Sequence, residues 1–277
     1  MFNALPSLGV GLGFREPFRG DLLLHRSEVD FLEITADHDF GASPEKLREL
    51  ELLAAHFTLI PHGLNLSLGS AEGLDLEYLE QFGRLVRRLN PPWWSEHIAF
   101  TRAGGVEIGH LAPLPFTREA VRSVCRNIET VRKTIGTPLI LENISFVVSM
   151  PGAEMTEADF ITEIAEQSGC GLLLDVTNLH ANAVNQGYDP LAFLERLPWE
   201  RIVQLHFVGG QFENGVLIDS HSQPASPEVW ALLEAVVRRA PVRGIILERD
   251  ENLPPFTELV AELGQAREIG RRYRRWN

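Results

Sequence analysis

The chain has 277 residues, of which 44% are hydrophobic, and it carries a formal net charge of −13. This length allows one barrel-sized domain or two small ones, and the negative charge argues against binding of nucleic acid, which requires a basic face. No apolar run approaches the roughly 20 residues that span a bilayer, and Cys125 and Cys170 are not spaced as a metal-binding pair. We therefore expect a soluble cytoplasmic protein with reduced thiols, which binds neither nucleic acid nor membrane.

Eight short apolar segments, rich in Ile, Leu and Val, predict β-strands. In chain order they are residues 8–12, 31–34, 59–62, 94–98, 139–144, 172–176, 202–207 and 244–248. Helical patterns lie between them, and several open with a cap residue followed by proline or an acid. These predicted helices cover residues 21–28, 44–56, 75–89, 117–135, 156–168, 190–197, 226–239 and 256–273.

Strands that alternate with helices over about 250 residues indicate parallel pairing, and eight such units predict an α/β fold, a closed (β/α)8 TIM barrel. We expect residues 1–277 to form a single domain with its metal site at the carboxyl ends of the strands, because no linker divides the chain. The structural alternative is an open doubly wound sheet. The sequence GVGLGF at residues 9–14 gives it little support, since the last glycine of a dinucleotide fingerprint is absent.

Nearly every predicted strand ends in a residue type that binds metal ions. In a parallel barrel these ends share one rim, where active sites lie. Taken singly, each residue has an ordinary explanation as a cap or a hydrogen-bonded structural group. Together, four histidines and several carboxylates in one cavity would shift one another's pKa values strongly unless cations neutralised them. The residues are Glu33, His62, Glu96, His97, Glu142, Asn143, Asp175, Asn178, His206, Asp219, His221, Glu248 and Asp250.

The mixture of imidazoles and carboxylates favours Zn, Mn or Fe over Mg and Ca. Its size exceeds the three or four protein ligands of one catalytic ion, so we expect two or three ions bridged by carboxylates. Glu142 and Asp175 are the candidate bridges, since their strands are neighbours. Asn143 and Asn178 are either ligands or turn residues, and His180 is a candidate neighbour of the ligands.

Ten motifs resemble, in the same order, those of the multinuclear non-heme iron-dependent oxidative enzymes, the family of the methanobactin biosynthesis oxidase. They are GVGLGFR, FLEIT, PHGLNLSLGS, SEHIAF, LAPLPFT, LENIS, LLLDVTN, QLHFVGG, LIDSHS and ILERD, and they span almost the whole chain. The resemblance implies a (β/α)8 barrel that holds two or three iron ions, Fe2+ or Fe3+. The metal ligands that it implies are His62, His97, Glu142, Asp175, His206, Asp219, His221 and Glu248, with Asn178 close by.

The resemblance also implies an oxidase or oxygenase that uses O2 to modify a residue, frequently cysteine, of a ribosomally synthesised precursor peptide (RiPP biosynthesis). Many members act with a small partner protein that presents the peptide leader. Our candidate catalytic residues are Glu33 and Asp250, which would position substrate or transfer protons at the rim, and His180.

The chain departs from the family pattern at two places. Asn185-Gln186-Gly187 stands where an Asn-His-Gly turn is usual, and His180 stands where a tyrosine is commoner. His180 is therefore a candidate replacement for the missing imidazole. Without a replacement, the third metal position would be weak or empty.

Two rival functions remain open at the level of sequence. The first is a Zn- or Mn-dependent sugar isomerase or phosphodiesterase on a related barrel, in which the metal acts as a Lewis acid and activates water. The second is a non-catalytic metal-binding accessory protein, in which protein ligands fill every coordination position. Bound iron with O2 consumption would favour oxidation, whereas colourless zinc or manganese would favour the first rival.

Overall fold

A computed structural model describes residues 2–276, and a closed barrel of parallel strands lies at its centre. Around the barrel the strands follow the order β1, β12, β9, β8, β7, β4, β3 and β2. The strands of the described residues are β1 (Gly9–Gly13), β2 (Phe31–Thr35), β3 (Thr58–Gly63), β4 (Trp94–His97), β5 (Phe100–Ala103), β6 (Val106–Ala112), β7 (Leu139–Glu142), β8 (Gly171–Asp175), β9 (Ile202–Phe207), β10 (Gly209–Glu213), β11 (Val216–Gln223) and β12 (Gly244–Leu247). The predicted TIM barrel is confirmed, and each predicted strand segment overlaps one barrel strand, with ends that differ by at most two residues.

Helices cover the outside of the barrel, and several begin at a residue whose side chain caps the first turn. Ser43, Asp75, Thr117, Thr156 and Ser226 each accept a hydrogen bond from a backbone N–H of the first helical turn. The α-helices are α1 (Arg19–Leu24), α2 (Pro44–Ala54), α3 (Leu76–Leu89), α4 (Arg118–Thr134), α5 (Glu157–Ser168), α6 (Val176–Gln186), α7 (Pro190–Leu194), α8 (Pro227–Arg239) and α9 (Phe256–Arg272).

The barrel interior has two chemically different ends. Residues i and i+2 of a strand face the same side, so each barrel strand contributes side chains at successive heights. At the amino-terminal end, an apolar floor forms from Phe2, Phe31, Ile60, Trp93, Ile140, Leu173, Val203 and Ile246. Six of these floor residues are followed, two positions later in the sequence, by a polar residue. These polar residues are Glu33, His62, Ser95, Glu142, Asp175 and Glu248.

Two antiparallel hairpins, β5–β6 and β10–β11, extend the carboxyl ends of barrel strands β4 and β9. The sequence predicts a loop after the strand at residues 202–207, with Asp219 and His221 in it, but the structure forms the β10–β11 hairpin there. The hairpin forms there because Asn214 and Gly215 both adopt positive φ, at 50° and 85°, as a two-residue hairpin turn requires. Asp219 and His221 therefore lie on strand β11, which holds them more firmly than a loop would.

Within residues 2–276, no helix combines the length and the apolar character needed to cross a membrane. Cys125 and Cys170 are both free cysteines. We expect both to be buried from the sequence, but only Cys170 is, whereas Cys125 is half-buried.

Candidate metal centre

The described residues bring eight predicted ligands into four overlapping groups, with the ligand atoms of each group within 4.8 Å of one another. Four residues belong to two groups each: the carboxylates Glu142, Asp175 and Glu248, and the imidazole of His221. Carboxylates can bridge two ions, so the overlap fits a multinuclear centre better than separate sites. The groups are His62, His97 and Glu142; Glu142, Asp175, His206 and Glu248; Asp175, Asp219 and His221; and His221, Glu248 and Asp250.

The first group lies between β3, β4 and β7. Nε2 of His62 and Nε2 of His97 each lie 3.3 Å from Oε2 of Glu142. Nδ1 of His97 is 3.0 Å from the carbonyl oxygen of Gly63, which can only accept a hydrogen bond, and Nδ1 of His62 is 2.8 Å from Oγ of Ser95. The bond to Gly63 places the Nδ1 hydrogen of His97 away from Glu142, so Nε2 of its neutral ring can ligate a cation beside Glu142.

The second group is centred on His206. Its Nδ1 lies 2.9 Å from Oε2 of Glu248 and 3.1 Å from Oε1 of Glu142. Asp175 completes the group and also caps α6, since its Oδ1 accepts the N–H of Thr177 at 2.6 Å and that of Asn178 at 2.9 Å. The helix cap therefore uses one carboxylate oxygen of Asp175 and leaves Oδ2 for the cavity.

The third and fourth groups lie where β11 meets the loop after β12. Nε2 of His221 is 2.9 Å from Oδ2 of Asp219, and its Nδ1 is 3.0 Å from Oδ2 of Asp250. Asp250 also forms an ion pair with Arg15. His221 has a φ of 51°, a left-handed conformation that is uncommon outside glycine, and such strain concentrates at functional sites.

The charges of the centre are not balanced by protein groups alone. Burial raises the pKa of Asp175 to about 8, with further contributions from Asp219 and Glu142. Burial lowers the pKa of His97, but Glu142 and Glu96 outweigh it and raise that pKa to about 9. Without cations the carboxylates must therefore share protons with one another and with the imidazoles.

Four buried oxygen atoms of the centre have no hydrogen-bond partner: Oε2 of Glu142, Oδ2 of Asp175, Oδ1 of Asn178 and Oδ1 of Asp219. An unsatisfied buried polar atom costs about 1–3 kcal/mol, so four of them in one cavity need an explanation. Cations bound among them would satisfy all four. A donor set of imidazole nitrogens and carboxylate oxygens fits Fe, Mn or Zn, and iron is therefore compatible with the residues present.

The two asparagines serve different roles. The side chain of Asn143 exchanges two hydrogen bonds with the backbone of Asp175, at 2.9 and 3.0 Å, and thus fixes the end of β8. Nδ2 of Asn178 donates to the carbonyl oxygen of Asn143 at 3.1 Å. This bond leaves the amide oxygen of Asn178 as the atom available for a cation.

The structure does not bring His180 to this centre. The sequence did not predict α6, which begins directly after β8, and a helix turns about 100° per residue. Asn178 and His180 therefore point in nearly opposite directions. His180 lines a separate groove of about 480 Å3 with Phe212, Leu217 and Glu228, where burial lowers its pKa.

Glu33 lies beneath the ligands and Asp250 beside them. Glu33 is 3% exposed, and its Oε1 is 2.8 Å from Nε2 of His206. Asp250, whose side chain is 35% exposed, lines a groove of about 660 Å3 with Phe14, Arg15, Lys46 and Leu53. This groove adjoins the metal centre through Asp250.

Sequence reasoning missed several residues that support the ligands, chiefly Ser95, Gln204 and Arg15. A polar residue two positions before a predicted ligand would have signalled the first two, since Ser95 precedes His97 and Gln204 precedes His206 at that spacing. Nothing in the sequence singles out Arg15, because its partner Asp250 is 235 positions away.

Fold and site together define a TIM-barrel protein with a candidate multinuclear metal centre at the carboxyl ends of its strands. The model of one family, described as RiPP precursor modification enzyme MbnB/TglH/ChrH, matches residues 9–271. The chain belongs to this family, which confirms the family that its motifs predicted.

Relatives of similar length include a UPF0276 protein of Caulobacter vibrioides, 36% identical over 263 residues that cover 95% of this chain and 94% of the relative. A UPF0276 protein of Shewanella oneidensis is 38% identical over 259 residues, 92% of both chains. Among solved structures, a D-psicose 3-epimerase from Clostridium cellulolyticum H10 superposes with a TM-score of 0.61 at 12% identity, covering 96% of this chain and 99% of the epimerase. The TTHB071 protein of Thermus thermophilus, soaked with ZnCl2, gives 0.54 at 20% identity, with 94% and 98% covered. The likeness to these two structures concerns the fold.

Proposed function

We propose that this protein is an iron-dependent oxidase or oxygenase that uses O2 to modify a residue, cysteine in our proposal, of a ribosomally synthesised precursor peptide. The observation that carries this proposal is the set of unpartnered buried oxygens among four histidine-containing groups, in a chain that belongs to a family of RiPP precursor modification enzymes. We propose two or three iron ions as the occupants, because each of the four groups shares at least one residue with another group.

Iron would supply the redox chemistry, by passing electrons from the substrate residue to O2. The chain's own residues would hold the ions and tune their charge. His62, His97 and Glu142 would hold one ion, and the second and third would lie beside His206 with Glu248 and beside His221 with Asp219. The third position already has an imidazole from His221, so it does not need His180, which has no part in this proposal. Asn178 would supply its amide oxygen.

The groove beside Asp250 supports a peptide substrate. Its volume of about 660 Å3 is in the usual range for ligand sites, and apolar side chains such as Leu50 and Leu53 line it together with charged ones. We propose that the residue to be modified enters from this groove, and that Asp250 accepts or returns its proton. Arg15 would hold Asp250 in place through their ion pair.

We further propose that the protein acts as a single domain in the cytoplasm, where its two free thiols would stay reduced. A small partner protein that presents the leader of the precursor peptide is part of the same proposal, since the motifs of this chain resemble those of enzymes that have one.

Anaerobic purification followed by titration with Fe2+ tests the proposal. We expect two or three iron ions per chain by metal analysis, an iron Mössbauer spectrum, and O2 uptake when the precursor peptide encoded beside the gene is added, with a change in the mass of that peptide. Stable binding of zinc or manganese, with no O2 uptake by the iron-loaded protein, would favour the sugar isomerase or phosphodiesterase instead. The epimerase fold alone does not favour that rival, because at 12% identity it carries no information on chemistry.

A further inference from the structure

A chain of buried hydrogen bonds lies directly beneath the metal ligands. Nε1 of Trp93 donates to Oε1 of Gln204 at 2.7 Å, and Nε2 of Gln204 donates to Oε2 of Glu33 at 2.6 Å. The other oxygen of Glu33, Oε1, lies 2.8 Å from Nε2 of His206. All four residues are at most 3% exposed, so water does not compete for these bonds.

The chemistry of the donors fixes the direction of this chain. An indole N–H can only donate, so the amide of Gln204 must turn its oxygen toward Trp93 and its nitrogen toward Glu33. The carboxylate of Glu33 offers only acceptor atoms, and its Oε2 already accepts from the amide of Gln204. The hydrogen between Glu33 and His206 must therefore be on Nε2 of His206.

One further contact tests this assignment. Nε2 of Gln204 also lies 3.2 Å from Nε2 of His206, which could accept its second hydrogen if that ring nitrogen carried a lone pair. The carboxylate oxygen of Glu33 would then face that lone pair at 2.8 Å in a site without water. Two buried acceptors that face each other without a hydrogen between them are unfavourable, so the assignment with a hydrogen on Nε2 is the favoured one.

We propose that Glu33, held by Gln204 and Trp93, is a positioning residue that keeps a hydrogen on Nε2 of His206 and so presents Nδ1 as the metal ligand. Nδ1 is the ring nitrogen on the cavity side, 2.9 Å from Oε2 of Glu248 and 3.1 Å from Oε1 of Glu142. Carboxylate partners of metal-binding histidines act in this way in many metal sites. This inference rests on the proposed metal centre and changes the role that the sequence suggested for Glu33.

The position of Glu33 in the barrel explains why it does not act on the substrate. Glu33 is on β2 and His206 on β9, and β12 and β1 separate these strands around the barrel. The hydrogen bonds therefore cross the barrel interior, between the apolar floor and the ligands. At 3% exposure, the carboxylate has no surface to offer a peptide.

Substitution of Glu33 reverses the pattern of donors and acceptors. In the wild-type protein the N–H groups of Gln204 and His206 both donate to the carboxylate of Glu33. The amide in Glu33→Gln has only one oxygen to accept them, and its NH2 group would face one of the two donors. We expect Zn2+, used as a diamagnetic probe, to bind about 10–100-fold more weakly at one position, as is typical when such a partner is lost. A competing chromophoric chelator measures the affinity, and 15N NMR of the imidazole rings in the Zn2+-loaded protein shows which nitrogen of His206 binds the metal.

The double substitution Glu33→Gln with Gln204→Glu is the matched control, because it preserves net charge and nearly preserves volume. The carboxylate introduced at position 204 would accept from Trp93 and from the new amide at position 33, whose oxygen would again accept the Nε2 hydrogen of His206. We expect Zn2+ affinity to return to within about tenfold of wild type, since the ligand orientation is restored.

Three results would overturn the inference. They are an unchanged affinity in Glu33→Gln, a double variant no better than the single one, and ligation of Zn2+ through Nε2 of His206 in the wild-type protein. The last measurement needs no variant, so it decides the matter even if Glu33→Gln fails to fold. If the wild-type chain binds neither Zn2+ nor Fe2+, the metal centre itself is wrong, which distinguishes failure of the proposed function from failure of this inference.

Discussion

The two ends of the barrel interior are built from the same strands, yet they contribute to the protein in opposite ways. On β7, Ile140 belongs to the apolar floor, whereas Glu142, two residues later, is surrounded by three histidines. Burial of the floor stabilises the fold by about 25 cal/mol for each Å2 of apolar surface removed from water. Burial of the ligands costs free energy unless cations bind among them.

This contrast shows how one barrel separates stability from function. The floor needs only apolar side chains of suitable volume, and it does not depend on any bound group. The ligand end holds ionisable side chains close together. Burial, with Asp219 and Glu142 nearby, raises the pKa of Asp175 to about 8, so its charged form is unfavourable there without a cation. Variants at each end should therefore have different effects, and the following predictions test this.

Glu142→Gln should have the largest effect, because Glu142 takes part in two of the ligand groups. We expect Fe2+ binding to weaken by about 100-fold or more and peptide modification to be lost, while the metal-free protein folds normally. Metal analysis after dialysis and far-UV circular dichroism measure the two effects.

Glu96→Gln is the control for that variant. Glu96 is also buried, but its oxygens accept hydrogen bonds from the backbone N–H groups of Leu66 and His97, at 3.2 and 2.7 Å. We expect it to retain the wild-type number of iron ions. If both variants lost iron equally, iron binding would depend on the number of buried negative charges near the centre. The effect of Glu142→Gln would then not identify Glu142 as a ligand.

Ile140→Ala tests the floor on the same strand. Removal of a fully buried isoleucine side chain leaves a cavity and should lower the free energy of unfolding by about 2–5 kcal/mol, as measured with urea. The number of iron ions bound per chain should not change. Loss of iron together with stability would show that the two ends are coupled, which contradicts their separation.

Glu157 offers a smaller test, because it is a buried carboxyl outside the ligand groups. Burial raises its pKa to about 7, although Tyr188 and Asn182 donate hydrogen bonds to it at 3.1 and 3.2 Å. The folded state therefore holds a proton that the unfolded state releases above about pH 4.5. The stability from this group is present below that pH and is lost as the pH rises through about 7.

Glu157→Gln should remove this dependence and make the protein more stable than wild type at pH 8, by on the order of 1–3 kcal/mol. Urea unfolding at pH 5 and pH 8 measures it. The exposed Glu166 on the same helix provides the control variant, Glu166→Gln, which should follow the wild-type profile. If the stability of Glu157→Gln depended on pH in the same way as that of the wild type, the carboxyl of Glu157 would be ionised in the folded wild-type protein. Burial alone would then not be enough to make a carboxyl in this chain neutral.

Much of this protein was predictable because its information is local. Short apolar segments alternating with capped helices predicted the barrel, and the residue types at the strand ends singled out the side chains that the structure groups together. The sequence did not predict α6, because Val176–Gln186 follows β8 directly, with no loop to mark the start of a helix. This helix turns His180 away from the grouped side chains.

The sequence by itself determined the fold, the family and the set of side chains at the carboxyl ends of the strands, because alternation along a strand depends on neighbouring residues. Only the tertiary structure decided which carboxylates are shared between groups, that Glu33 lies beneath His206, and that Arg15 meets Asp250. These pairs are up to 235 positions apart, and no local pattern specifies a contact that depends on the closure of the barrel.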